Sequence, residues 1–208
     1  MLEWTREVID EVTRPMVEGV AFHWYSGDHF EAVKITAEQF PDLKLAFTEC
    51  CTSSNVPHGP GPVSHKTPET QEWEGAAHYA HDIIGNLNSG MERWFDWNFC
   101  LDKEGLPRRP KLKGCLAGII VDNGDFSTNL IFAYVGHFSR YIQPGAQRMG
   151  FSRCDHMVEL TAARNPDGTL AVIVLNRGTE DRGYAIRIQG NVIRVHFPAR
   201  TISTLVLE

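Results

Sequence analysis

The chain has no massed basic run to grip a polyanion: its net charge is −6, and its 20 lysines and arginines are spread along 208 residues. That argues against nucleic acid or an anionic membrane as partner and suits a neutral substrate better. No apolar stretch approaches the length of a bilayer-spanning helix. The opening residues, MLEWTREVIDEV, are acidic and amphipathic, without the basic start and apolar centre of a signal peptide. Five cysteines, Cys50, Cys51, Cys100, Cys115 and Cys154, are odd in number and lack the regular framework of a small secreted scaffold. Free thiols in a reducing, cytoplasmic setting are the expectation. There is no repeat at a solenoid or propeller period. What is present is a 42% hydrophobic composition, enough to bury a core as one domain or two small ones.

The apolar pattern predicts an opening helix to about Pro15, a buried strand over 17–25, a helix over 30–40 and a second buried strand over 43–49 that ends in a carboxylate. That βαβ order implies a parallel sheet. After a Pro/Gly/Ser/His-rich loop, Trp73, Ala76, Ala77, Ala80, Ile83, Ile84 and Leu87 recur at helical spacing. A strand over 94–101, a turn over 102–107, a basic loop, a short apolar run AGIIVD and a helix over 131–142 follow. Beyond Gln143 the runs become short and are punctuated by Gly, Asp and Pro, the texture of an antiparallel β-sandwich. The pattern is an α/β unit over 1–143 that looks like the tail of a (β/α) barrel, with an all-β domain over 144–208. A full barrel takes roughly 250 residues, so most of one would be missing.

In parallel α/β architectures functional side chains gather at the carboxyl ends of the strands. Here those ends carry His23-Trp24-Tyr25, Glu49 and Trp97-Asn98. A carboxylate closing the apolar strand LAFTE is costly in a plain core and is better explained by a polar cavity, although an ordinary exposed Glu is the simple alternative. Trp and Tyr faces cover the C–H faces of a pyranose while Asn and His meet its hydroxyls; core filling is the alternative for any single tryptophan.

The segments GVAFHWYSG, LAFTECC, WEGAAHYAHDIIGNLNSGMERWFDWNFCLD, GHFSRYIQPGAQRMG and NPDGTLAVIVLNR, in this order, resemble glycoside hydrolase family 30, of glucosylceramidase type, over nearly the whole chain. The resemblance implies the C-terminal part of a (β/α)8 barrel followed by an antiparallel β-sandwich. It implies hydrolysis of β-glycosides, glycolipid or oligosaccharide, with retention. Glu49 matches the nucleophile of the seventh strand, His23 and Tyr25 its orienters on the sixth, and Trp97 the eighth-strand tryptophan beside the reactive sugar. Neither metal nor organic cofactor is implied. Retention needs a second carboxyl about 5 Å from the first. In this family it is a Glu after Asn on the fourth strand; the chain has no Asn-Glu dipeptide, so the acid/base is expected in a missing N-terminal barrel half. Gly105-Leu106-Pro107-Arg108 stands where the family reads Gly-Gly-Pro-Asn, and the basic RRPKLK follows in place of the usual aromatic and polar residues, so aglycone preference stays open.

Cys50, Cys51, His58, His65, His78 and His81 invite a metal reading, yet no Cys-x-x-Cys pair occurs and the last two histidines fall inside a helical pattern. No motif supplies an activating histidine for a thiol nucleophile at Cys50 or Cys51. Asp96, Asp102 and Glu104 read as surface carboxylates rather than a substitute proton donor. The alternative function is non-enzymatic: a truncated chain whose β-domain packs or binds carbohydrate. Three barrel strands leave an open edge, from which association or poor solubility is expected unless the other half is supplied.

Overall fold

The structure, a computed structural model, describes residues 1–52, 67–105, 114–153, 155–188 and 190–208. Helix α1 (Leu2–Val8) stops well before Pro15. Asp10 ends it: its Oδ1 accepts from the backbone N–H of Val12 at 2.9 Å and of Thr13 at 2.7 Å, a local turn that competes with helix. A 3-10 turn, Arg14–Met16, leads to β1 (Gly19–His23), α2 (Phe30–Gln39) and β2 (Lys44–Glu49). β1 and β2 pair in parallel, as the βαβ pattern predicts. Helix α3 (Pro68–Asn88) is capped by Thr67, whose hydroxyl accepts from the Thr70 N–H at 3.3 Å. It returns the chain to β3 (Arg93–Trp94), parallel to β2, giving a sheet in the order β1-β2-β3.

Alternation along β2 sends Leu45 and Phe47 into the layer beneath the helices, where both are fully buried. Phe47 stacks on Trp94 with ring centres 5.8 Å apart and meets Phe22 edge-on at 5.6 Å. The alanines at 76, 77 and 80 let α3 lie close, and Tyr79, Ile83 and Ile84 fill the gap.

The stretch 94–101 is not one strand. Its backbone follows β2 a little further, with the Phe95 N–H bonded to the Phe47 carbonyl at 2.9 Å and that of Trp97 to the Cys50 carbonyl at 3.1 Å. Asp96 then buries its carboxylate, and the chain leaves to begin a second sheet of β4 (Cys100–Asp102), β5 (Ile119–Asp122) and β6 (Asp125–Thr128). β5 and β6 form a hairpin around Asn123-Gly124, whose φ angles of 51° and 92° are those that an Asn-Gly turn supplies. Helix α4 (Leu130–Tyr141), capped by Asn129, closes this part with Ile131, Tyr134 and Phe138 buried.

The remaining strands are β7 (Gln147–Arg148), β8 (Val158–Arg164), β9 (Leu170–Asn176), β10 (Arg182–Ile188), β11 (Asn191–Phe197) and β12 (Thr201–Leu207). They form an antiparallel sheet β12-β9-β8-β7 and an antiparallel pair β10-β11. β9 is apolar on both faces because it serves two cores. Val172 and Val174 pack with Val158 and Phe197 between the two sheets, while Ile173 and Leu175 join the cluster that includes α3 and α4. The α/β and all-β parts thus share buried side chains.

Candidate active site

A register shift between Phe22 and His23 sets His23 opposite Glu49 at the carboxyl ends of β1 and β2. Two residues on, the Tyr25 phenol donates to Glu49 Oε1 at 2.9 Å, and the His23 ring meets the Tyr25 ring edge-on at 5.8 Å. Burial, then the hydrogen bond and charge of Glu49, hold the Tyr25 phenol well above its ordinary range, so it remains a donor. Glu49 is half-buried and His23 and Tyr25 are exposed on the open side of the sheet.

Trp97 is brought to this end by its backbone bond to Cys50, the residue after Glu49. Asn98 follows across a cis peptide, and its Nδ2 is buried with no hydrogen-bond partner among the described residues. Trp24 is not brought to the same face. Alternation turns it away from His23 and Tyr25, and its ring packs against His78 at 4.3 Å and Tyr79 at 5.3 Å on the helix side. For Trp24 the structure gives core packing rather than a place beside Glu49.

Asp96 corrects the expectation of a surface carboxylate. Its Oδ1 accepts from the fully buried Tyr79 hydroxyl at 2.9 Å and faces the Cys50 thiol at 3.8 Å. Burial pushes its carboxyl up to about 6, even though both bonds favour the ionised form. The same burial, with Asp96 and Asp82 nearby, pushes the Cys50 thiol far above its usual range, which leaves it a poor nucleophile. The sequence signal for this knot was an acid flanked by aromatics in WFDW, a context in which a carboxylate is buried and must find donors. Asp102 and Glu104 are exposed, as expected.

Cys50, Cys51, Cys100 and Cys115 are free thiols, while Cys154 lies outside the described residues. So do His58 and His65, together with positions 106–113 that carry the departures after Gly105. Among the described residues no three His, Cys, Asp or Glu side chains could hold a metal ion, and no helix is long and apolar enough to cross a membrane.

The site thus pairs a carboxylate at the end of a parallel strand with a tyrosine just past the neighbouring strand, beside a β-sheet domain that packs on the same helices. The chain belongs to glycosyl hydrolase family 30: the family's TIM-barrel domain matches residues 1–142 and its beta sandwich domain residues 145–205. It is 32% identical to lysosomal acid glucosylceramidase of Mus musculus over 186 residues, 86% of this chain and 34% of that protein. It is 23% identical over 198 residues to endo-1,6-beta-D-glucanase neg1 of Aspergillus fumigatus, 92% of this chain and 37% of that one. The crystal structure of SrfJ from Salmonella typhimurium superposes with a TM-score of 0.86 at 33% identity, covering 98% of this chain and 44% of that one. The chain therefore spans about a third of the length of the curated relatives it matches.

Proposed function

We propose that this chain carries the nucleophile half of a retaining β-glycosidase of glucosylceramidase type. The observation that supports it most is the Tyr25 phenol bonded to Glu49 Oε1 at 2.9 Å, which leaves the second carboxylate oxygen for the sugar. In this reading a Glu49 oxygen attacks the anomeric carbon as the bond to the leaving oxygen breaks. A second carboxyl, contributed by barrel upstream of this chain, protonates that leaving oxygen and then takes a proton from the water that frees the sugar. Tyr25 fixes the Glu49 rotamer and His23 holds the Tyr25 ring. Trp97 offers its face to the sugar, and the unpartnered Asn98 Nδ2 is a donor for one of its hydroxyls.

The substrate class is a β-glycoside. The names of the relatives bring both a glucosylceramide and a β-1,6-glucan into range. The test is intact mass spectrometry after incubation with an activated 2-fluoro-glycoside, on this chain alone and on the chain joined to an upstream barrel half. Labelling of the Glu49 peptide in the completed form, and its loss in Glu49→Gln, is the expected result. A folded completed form that takes no label returns the chain to the non-catalytic reading, and one that takes the label with Glu49 replaced overturns Glu49 as the nucleophile.

A further inference from the structure

His81, on the helix expected only to satisfy or expose its histidines, sits in an arrangement the proposed chemistry does not use. Its Nδ1 lies 2.5 Å from Glu159 Oε2 on β8, and its Nε2 lies 2.9 Å from Asp28 Oδ2 in the loop between β1 and α2. Arg177, just past β9, holds the other oxygen of Glu159 at 3.2 Å. The other neighbours of His81 among the described residues include the Phe30 ring at 5.4 Å, the His78 ring at 6.4 Å and, next in sequence on α3, the buried carboxyl of Asp82.

A neutral imidazole has one N–H and one lone pair, so it satisfies one carboxylate and opposes the other. Two carboxylate oxygens at hydrogen-bond distance from both ring nitrogens are the partners of an imidazolium. Burial alone would lower the His81 pKa, but the bond and charge of Glu159 and the bond to Asp28 outweigh it and raise it above the usual value of 6.5. When the proton leaves, the two carboxylates are not equal. Glu159 keeps Arg177 and a position inside the β8–β9 ladder, opposite Leu175. Asp28, its side chain 48% exposed in a loop, has water at hand.

That loop is short and internally tied. The Gly27 N–H bonds to the Trp24 carbonyl at 2.9 Å, and His29 Nε2 meets the Ser26 carbonyl at 2.8 Å. It carries Tyr25 at one end and Asp28 at the other. We propose that His81 is a positioning residue for Glu49: as an imidazolium it anchors Asp28 to the β-sandwich, and through this loop it holds the Tyr25 phenol on the Glu49 carboxylate; losing its proton releases both. The consequence for catalysis rests on Glu49 being the nucleophile, whereas the linkage from His81 to Tyr25 does not.

The test is an NMR titration of the folded chain, alone or joined to its upstream half, labelled at histidine nitrogens and at the tyrosine ring carbon bearing oxygen, from about pH 5 to about pH 9. His81 should carry protons on both nitrogens at the acid end and titrate above the usual histidine range. The Tyr25 carbon should step at the same pH. In Asp28→Asn, a half-exposed position, His81 should still titrate while the Tyr25 step disappears. A Tyr25 signal that stays flat through the His81 titration, or a His81 already neutral at about pH 6, overturns the linkage. Glu49 labelling with a flat Tyr25 signal would do so while leaving the nucleophile in place. A Tyr25 step in a protein that takes no label supports the linkage and counts against the nucleophile instead.

Discussion

At the scale of single residues, the proposed site depends on one hydrogen bond and is backed by one buried acid. Tyr25→Phe removes a hydrogen bond to a charged group, a loss of about 1.5–3 kcal/mol. If that bond orients the attacking carboxylate, the completed enzyme should label or turn over roughly 10- to 100-fold more slowly, with fold stability little changed because the site is on the open side of the sheet. Stopped-flow or burst kinetics would measure it. Behind the site, Asp96→Ala leaves the Tyr79 hydroxyl buried without its acceptor and should cost about 1–3 kcal/mol in urea unfolding. Asp96→Asn keeps an acceptor oxygen and should cost less. Ionisation of Asp96 works against the fold: its carboxyl lies at about 6 in place of the ordinary 3.8, so its contribution to stability falls as pH rises across that interval. The Asn replacement should flatten that part of the pH profile.

Among the elements, the β5–β6 hairpin offers the cleanest test. Gly124 has φ of +92° and a Cβ placed there would meet nothing within 4 Å. Gly124→Ala should therefore cost about 1–2 kcal/mol through backbone conformation alone, with no clash against any other part of the molecule. Equilibrium unfolding would show the loss, and an unchanged midpoint would mean that the hairpin does not hold this turn in solution. The long periodic elements were legible because each repeats one instruction: α3 shows a buried face at every third and fourth position, and LAFTE alternates against a helix layer. The strand over 94–101 and the first helix were not, because single acids override the apolar pattern: Asp96 bonds a tyrosine from another element, and Asp10 closes a local turn on the N–H groups of Val12 and Thr13.

For the whole molecule, two consequences concern how the parts hold together. The His81 clasp joins α3 to β8 and should be strongest between the usual pKa values of its partners. Glu159 is held below 4.5 because the His81 bond and charge, with Arg177, outweigh its burial; its contribution is present above 4.5 and is lost as pH falls through the lowered value. His81 is raised above 6.5, so its contribution is present below 6.5 and is lost as pH rises through the raised value. The stability difference between the chain and His81→Gln should therefore peak between 4.5 and 6.5 and shrink on either side, as thermal melts across pH would show. The second consequence is association. β1 is an edge strand and Phe95 is 51% exposed on the chain. Light scattering should show concentration-dependent association that an upstream barrel half suppresses, whereas a clean monomer with a cooperative melt would count against an incomplete barrel.

Local patterning was enough for the order of elements, the βαβ arrangement and the antiparallel texture after Gln143. It placed a carboxylate at a strand end, because periodicity and turn chemistry are local properties of the chain. The chain also carried ordered motifs enough to identify the family. Which strand-end residues meet was set by long-range packing. The register shift at His23 and the two-residue period of β1 bring Tyr25 to Glu49 and turn Trp24 into the core. Tertiary packing also set the partners of Asp96 and of His81, because a buried charge takes its partners from whichever elements fold against it.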